Sequence, residues 1–201
     1  MRKAPNQARS RATVEAIVHA GARVLADRGW AGFTTNRVAE VAGVSIGSLY
    51  QYFPDKLSLI DAVRRRHLEE CLAIMRSARH DGKPLGRFLD DLVGDMMAAH
   101  DSHPGLHRVL LDEAPANGPH DPHSAYEREY LGHYAAAVAT YRRRRTETDD
   151  ETVAMIMSDA VDGVIHNAAR RGTLRSPEVK RELVRMLALY LAGPSADQDL
   201  G

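Results

Sequence analysis

One cysteine, Cys71, is all that this chain of 201 residues contains. An intrachain disulfide is therefore impossible, and a reducing compartment suits the protein. Nowhere does an apolar run approach the roughly 18 residues needed to span a bilayer, so no membrane partner is expected. The opening segment Met1-Arg2-Lys3-Ala4-Pro5-Asn6-Gln7 is polar and basic with no apolar stretch behind it. That leads us to expect no secretory signal and a cytoplasmic protein. Convincing apolar–polar alternation is lacking as well, so strands are not expected and the fold class is all-α. Net charge is also missing, with 27 Lys and Arg against 27 Asp and Glu. The balance conceals an asymmetry, because residues 1–66 hold 11 basic and 5 acidic side chains (+6) and the remainder 16 and 22 (−6). The first third of the chain suits a polyanion and the rest does not. Core material is ample, at 44% hydrophobic residues.

The most informative stretch runs from Thr34 to Lys56. Val38, Ala39, Val41 and Ala42 predict one apolar helix face, with small alanines where a second helix must come close. Gly43 suits the left-handed residue after a helix end, a conformation other residues enter only at a steric cost. Val44 can then tuck under the turn, and Ser45 can cap the next helix with its side-chain oxygen. Leu49 and Phe53, four apart, bury one side of that helix. The opposite side carries Gly47, Ser48, Gln51 and Tyr52, which are small or hydrogen-bonding. A helix with one packed face and one polar, reachable face is what a DNA major groove admits, so these residues predict a helix-turn-helix.

Around this motif the chain reads as helices. Val14, Ile17, Val18, Gly21, Val24 and Leu25 recur at helical spacing up to Gly29, with Trp30 placed to fold back. Asp55 is the expected cap of a long helix whose buried stripe reads Ile60, Val63, Leu68, Cys71, Leu72 and Met75. Asp81-Gly82-Lys83-Pro84 breaks the chain before a helix marked by Phe88, Leu89, Leu92, Val93, Met96 and Met97. Leu106, Val109, Leu110 and Leu111 predict a short helical segment, and residues 114–122 a loop. Tyr126, Tyr130, Leu131, Tyr134, Ala137, Val138 and Tyr141 predict another helix. The last two helices have marked starts: Thr148-Asp149-Asp150-Glu151 reads as a capping box, and Ser176-Pro177-Glu178 as a cap followed by proline at the first position. The first is expected to bury Val153, Ile156, Met157, Ala160, Val164 and Ala168, the second Val179, Leu183, Met186, Leu187, Tyr190 and Leu191. The expected division is a helix-turn-helix domain over 1–53, a second helical domain over 54–193 and a frayed tail over 194–201.

On Phe33-Thr34-Thr35, Val38-Ala39-Glu40-Val41-Ala42-Gly43-Val44-Ser45 and Gly47-Ser48-Leu49-Tyr50-x-Tyr52-Phe53-Pro54-Asp55-Lys56, the chain resembles the TetR/AcrR family of transcriptional regulators. The resemblance implies about nine helices: three that bind DNA, four that enclose a ligand pocket, and two that pair with a second subunit. It further implies DNA contacts from Ser45, Gly47, Ser48, Tyr50, Gln51, Tyr52 and Lys56, with Thr35 at a phosphate. Many members carry Lys where this chain has Ile46, so one contact is removed. The expected partners are an operator duplex, an apolar or aromatic small-molecule effector and a second copy of the chain. The pairing residues are expected on the last two helices: Ile156, Met157, Ala160, Val164, Ala168, Leu183, Met186, Leu187 and Tyr190.

Several side chains invite other readings. Gln51 could read adenine through paired hydrogen bonds, and Lys56 could clamp a phosphate. Met75, Met96, Met97, His100, His107, Tyr126 and Tyr130 could line a pocket, since methionines adapt to varied apolar ligands, and each is also ordinary core material. Gly43-Val44-Ser45-Ile46-Gly47 spells the G-x-S-x-G of hydrolases, which would make Ser45 a nucleophile. That elbow needs a preceding strand and a sheet, neither of which is expected, so no catalytic residue is assigned. His100, His103 and His107, with His120 and His123, suggest metal, but Pro104-Gly105 interrupts their helix. They are read as scattered histidines, and neither metal nor cofactor is expected. Arg142–Arg145 is read as a basic run favoured at a helix C-terminus. The remaining alternative is a helical protein-binding module without a DNA role.

Overall fold

A computed structural model describes residues 8–78, 82–102, 106, 109–110, 125–143 and 147–192. Every regular element among the described residues is helical. In order they are α1 (Ala8–Gly32), α2 (Thr35–Ala42), α3 (Ile46–Tyr52), α4 (Lys56–Ser77), α5 (Leu85–Asp101), α6 (Ala125–Tyr141), α7 (Asp150–Arg171) and α8 (Pro177–Ala192). None of them is long and apolar enough to cross a membrane. The segments expected as a loop over 114–122 and a tail over 194–201 lie outside the described residues, as does Leu111.

Packing divides the chain into two compact units. The first takes residues 1–69 and 103–120, the second 70–102 and 121–201. The division falls within α4, not at the expected boundary after residue 53. The reason is that Leu59, Ile60 and Val63 of α4 are buried in the first unit's core beside Ile17, Leu25, Phe33, Val38, Leu49 and Phe53. Each such fully buried side chain contributes roughly 1.5–3 kcal/mol. Gly21 marks where α1 and α4 meet most closely, since a Cβ there would stand 3.1 Å from a Val63 methyl. Leu106 and Val109 complete this core.

The second unit builds its own core from one face each of α5, α6, α7 and α8, with Cys71, Leu72 and Met75 from the end of α4. All six apolar residues expected on α5 are buried. Helix starts follow local chemistry. Asp55 caps α4 by accepting from the Ser58 N–H at 2.7 Å, a bond that also holds its carboxyl below the usual range. Ser176 caps α8 through the Val179 N–H at 3.2 Å. The cap of α7 is Asp149, whose carboxylate accepts from the Thr152 N–H at 2.7 Å. Thr148 was expected there. Its carbonyl instead accepts from Arg142 at 2.8 Å, and Arg142 also pairs with Asp150, so the basic run begins as a structural clamp.

Some expected faces are corrected. Val41 on α2 and Leu68 on α4 are exposed, as are Ile156, Met186 and Tyr190. Leu59, Ala154, Val161 and Ile165 take interior places that the stripes did not include.

Candidate functional site

The turn between α2 and α3 is built by local bonds. Thr34 caps α2 by accepting from the Arg37 N–H at 3.2 Å. Gly43 closes it at φ 67°, its N–H bonding the Glu40 carbonyl at 3.1 Å while Val44 N–H reaches Ala39 at 3.0 Å. Ser45 then caps α3 by accepting from the Ser48 N–H at 3.1 Å, and its hydroxyl also bonds that of Ser48 at 2.9 Å. Behind the helix, Leu49 and Phe53 are fully buried. In front, Ser45, Ile46, Gly47, Tyr50 and Gln51 are exposed, with Ser48 and Tyr52 half-buried. Tyr52 packs against the first core, so its ring is a structural contact whatever its hydroxyl touches.

Two details sharpen this surface. The Tyr50 hydroxyl lies 3.1 Å from that of Thr35, which links the first residue of α2 to the middle of α3 and holds the Tyr50 ring. A Cβ on Gly47 would meet only the Ser45 hydroxyl, at 3.9 Å. The fold itself has no need of glycine there. The small residue leaves α3 bare where another body could approach its backbone.

Lys56 is more committed than the sequence suggested. Its ammonium donates to the Trp30 carbonyl at 2.8 Å and sits 3.6 Å above the Trp30 ring centre. Trp30 in turn stacks on Phe33, with ring centres 5.9 Å apart. Burial lowers the Lys56 pKa. Lys56 therefore locks the end of α1 to the start of α4. Ser45 has the bonds of a helix cap, and the segment before it is the helix α2, not a strand. The arrangement of a hydrolase elbow is not formed.

In the second unit Met75, Met96, Met97, His100 and Tyr130 are buried, and Tyr126 packs against them. His107, His103, His120 and His123 lie outside the described residues. The His100 Nδ1 is 2.8 Å from the Met96 carbonyl. A carbonyl only accepts, so Nδ1 carries the hydrogen. Burial lowers the His100 pKa and pushes that of His166, whose ring lies 5.4 Å away, down to about 4.

Among the residues expected to pair with a second copy, Met157, Ala168, Leu183 and Leu187 are buried in the protomer's own core. They cannot form a seam with another chain. Ala160 and Val164 are half-buried. Ile156 (43% exposed), Met186 (45%) and Tyr190 (42%) face outward, joined by Met155, which the sequence reading did not include. Four large apolar side chains on α7 and α8 are thus left in water.

Residues 17–63 match the family described as bacterial regulatory proteins, tetR family. Residues 84–191 match the tetracyclin repressor-like C-terminal domain. A regulator of Escherichia coli K12, RutR, is 32% identical over 105 residues, covering 52% of this chain and 49% of RutR. The nucleoid occlusion factor SlmA of Haemophilus influenzae is 34% identical over 90 residues, 44% of this chain and 40% of SlmA. The chain thus spans about half or less of the length of these relatives. Among solved structures, Bacillus subtilis FadR in complex with stearoyl-CoA matches 89% of this chain and 98% of its own, with TM-score 0.70 and 14% identity. A putative TetR-family regulator from a Rhodococcus species covers 90% and 100%, with TM-score 0.67 and 20% identity. The matched families together span both units, and the chain belongs to the TetR family of helix-turn-helix transcriptional regulators.

Proposed function

We propose that the protein acts in the cytoplasm as a homodimeric repressor that leaves a palindromic operator when a small molecule occupies its second unit. The observation that carries this reading is the outward face of α3. It presents Gly47, Ser48, Tyr50 and Gln51 on a helix anchored by Leu49 and Phe53 and capped by Ser45. The excess of basic residues in the first third supplies the field that draws a duplex in. The outward apolar residues of α7 and α8 supply a surface for a second copy. A dimer sets two copies of α3 about one DNA turn apart, roughly 34–36 Å or somewhat more. KstR2 of Rhodococcus jostii, 28% identical over 97 residues, is named a transcriptional repressor, which supports repression here.

The release mechanism follows from α4. One continuous helix contributes Leu59, Ile60 and Val63 to the first core and Cys71, Leu72 and Met75 to the second. An effector that shifts the end of α4 shifts its start, which follows α3 by a few residues. Operator affinity then falls by the difference in effector affinity between the two states.

The test is fluorescence anisotropy with a duplex from upstream of the protein's own gene, beside a scrambled duplex. Sequence-dependent binding is expected, and Gln51→Ala should cost about 1–3 kcal/mol and relax preference at one base position. Equal, salt-insensitive indifference to both duplexes would favour a protein-binding module instead.

A further inference from the structure

We infer that the second unit holds a recognition site for a small organic cation, formed by the Tyr126, Tyr130 and Tyr134 rings of α6 and the Asp162 carboxylate of α7. The inference rests on the proposed effector response and specifies the chemistry of the effector. The three tyrosines recur every fourth residue, so they share a face of α6. Tyr126 and Tyr130 stack with ring centres 5.5 Å apart, and Tyr134 meets Tyr130 edge-on, also at 5.5 Å. The Tyr130 hydroxyl donates to Asp162 Oδ1 at 3.0 Å. Aromatic faces grouped beside a carboxylate attract a positive charge twice, through the ring quadrupoles and through the anion.

The described residues supply this site with a hydroxyl donor but with no countercharge. The Tyr134 hydroxyl is fully enclosed and completes no well-formed hydrogen bond among the described residues; the one side chain that bears on it at hydrogen-bonding range is Tyr130, whose own hydroxyl is already given to Asp162. No ion pair with Lys, Arg or His is formed by Asp162 among the described residues. The charges that bear on it, Glu127 from α6 and Asp159 from its own helix, are acidic. Its carboxyl is pushed up to about 6, first by burial, and so is ionised at neutral pH. From α4, the Cys71 thiol is driven to about 12 and stays neutral. Burial also raises the pKa of Tyr130 and Tyr134, which keeps both phenols neutral. His166, one helical turn beyond Asp162, could have supplied a cation. It is held near 4 by burial and by His100. A positive charge must therefore arrive with the ligand, and an anionic ligand would meet three acids.

The full-length chain is titrated at pH 7.5 with three matched probes: (3-phenylpropyl)trimethylammonium, 3-phenyl-1-propanol and 3-phenylpropionate. Calorimetry should show the ammonium compound binding about tenfold or more tightly than either of the others. Asp162→Asn should abolish that preference, and Tyr134→Phe should reduce it. Lowering the pH to 5 should weaken ammonium binding to the unaltered protein by about tenfold as Asp162 takes up its proton, which tests the site even if Asp162→Asn does not fold. Equal binding of the three probes, or a preference that survives both the low pH and the Asp162 substitution, would overturn the proposal. Anisotropy with the promoter duplex on the same samples separates the two readings. Duplex binding without cation preference removes this site and leaves the regulator. Cation preference without duplex binding does the reverse.

Discussion

Replacing Gly47 with alanine should make the protein more stable and worse at binding DNA. A new Cβ at this position finds only the Ser45 hydroxyl, 3.9 Å away, which is ordinary van der Waals contact. Gly47 lies within α3 and its φ is not positive. Alanine relieves the entropy that glycine loses in a helix, so folding should gain about 0.5–1 kcal/mol. Trp30 is the only tryptophan, and it packs in the first core against Phe33, so its fluorescence reports the unit that carries α3. At a slope of roughly 1–3 kcal/mol per molar urea, the midpoint should rise by about 0.2–1 M. The same methyl points to the side where a duplex would lie. If α3 approaches DNA closely there, affinity for a selected duplex should fall about tenfold or more, a cost of ~1.4 kcal/mol or greater. A loss of binding accompanied by a gain in stability cannot be blamed on misfolding. Unchanged affinity in the stabilised variant would refute the reasoning, because the exposed start of α3 would then face no partner.

The other substitutions test separate parts of the molecule. Asp162→Asn should change how stability depends on pH. A carboxyl whose pKa rises from 3.8 unfolded to about 6 folded destabilises the protein as pH climbs through that window. At roughly 1.4 kcal/mol for each tenfold change in proton affinity, the penalty reaches about 3 kcal/mol by pH 7. The variant lacks it, so its stability relative to the parent should climb by about that amount between pH 4 and 7. His166 contributes with the opposite sign in both proteins and cancels in the comparison, and a pH-independent difference in urea unfolding would count against the assignment. Ile156→Asp with Met186→Asp should yield helical monomers in sedimentation velocity, whereas Leu187→Asp, at a side chain only 1% exposed, should unfold the second unit. A dimer persisting in the first double variant would place the seam elsewhere. Lys56→Ala should destabilise the first unit by about 1–2 kcal/mol through loss of the Trp30 contacts. Lys56→Gln should lower the salt slope of DNA binding by about one if the lysine also meets a phosphate, and an unaltered slope would assign it to structure alone.

The helix-turn-helix was readable because its determinants lie within a few residues of one another. A serine or aspartate at a helix start meets an N–H three residues on, and Gly43 turns the chain without reference to anything distant. The same locality made the starts of α4 and α8 legible from Asp55 and Ser176. It failed at α7, where Thr148 and Asp149 both had the right chemistry. The choice went to Asp149 while the Thr148 carbonyl received Arg142 from across the loop. The structural role of Lys56 was not legible for a similar reason: its partner, Trp30, is 26 residues away.

Element type, order and the polar ridge of α3 followed from periodicity and capping, which act over one or two helical turns. Which apolar residues lie inside did not, because α7 and α8 carry apolar side chains on more than one face. Met157 and Leu187 point inward while Ile156 and Met186, their immediate neighbours in sequence, point to water. That choice depends on where the neighbouring helices lie, and a helix's own pattern records only that it has apolar surface to cover. The meeting of Asp162 with Tyr130, 32 residues apart, likewise exists only once α6 and α7 have packed.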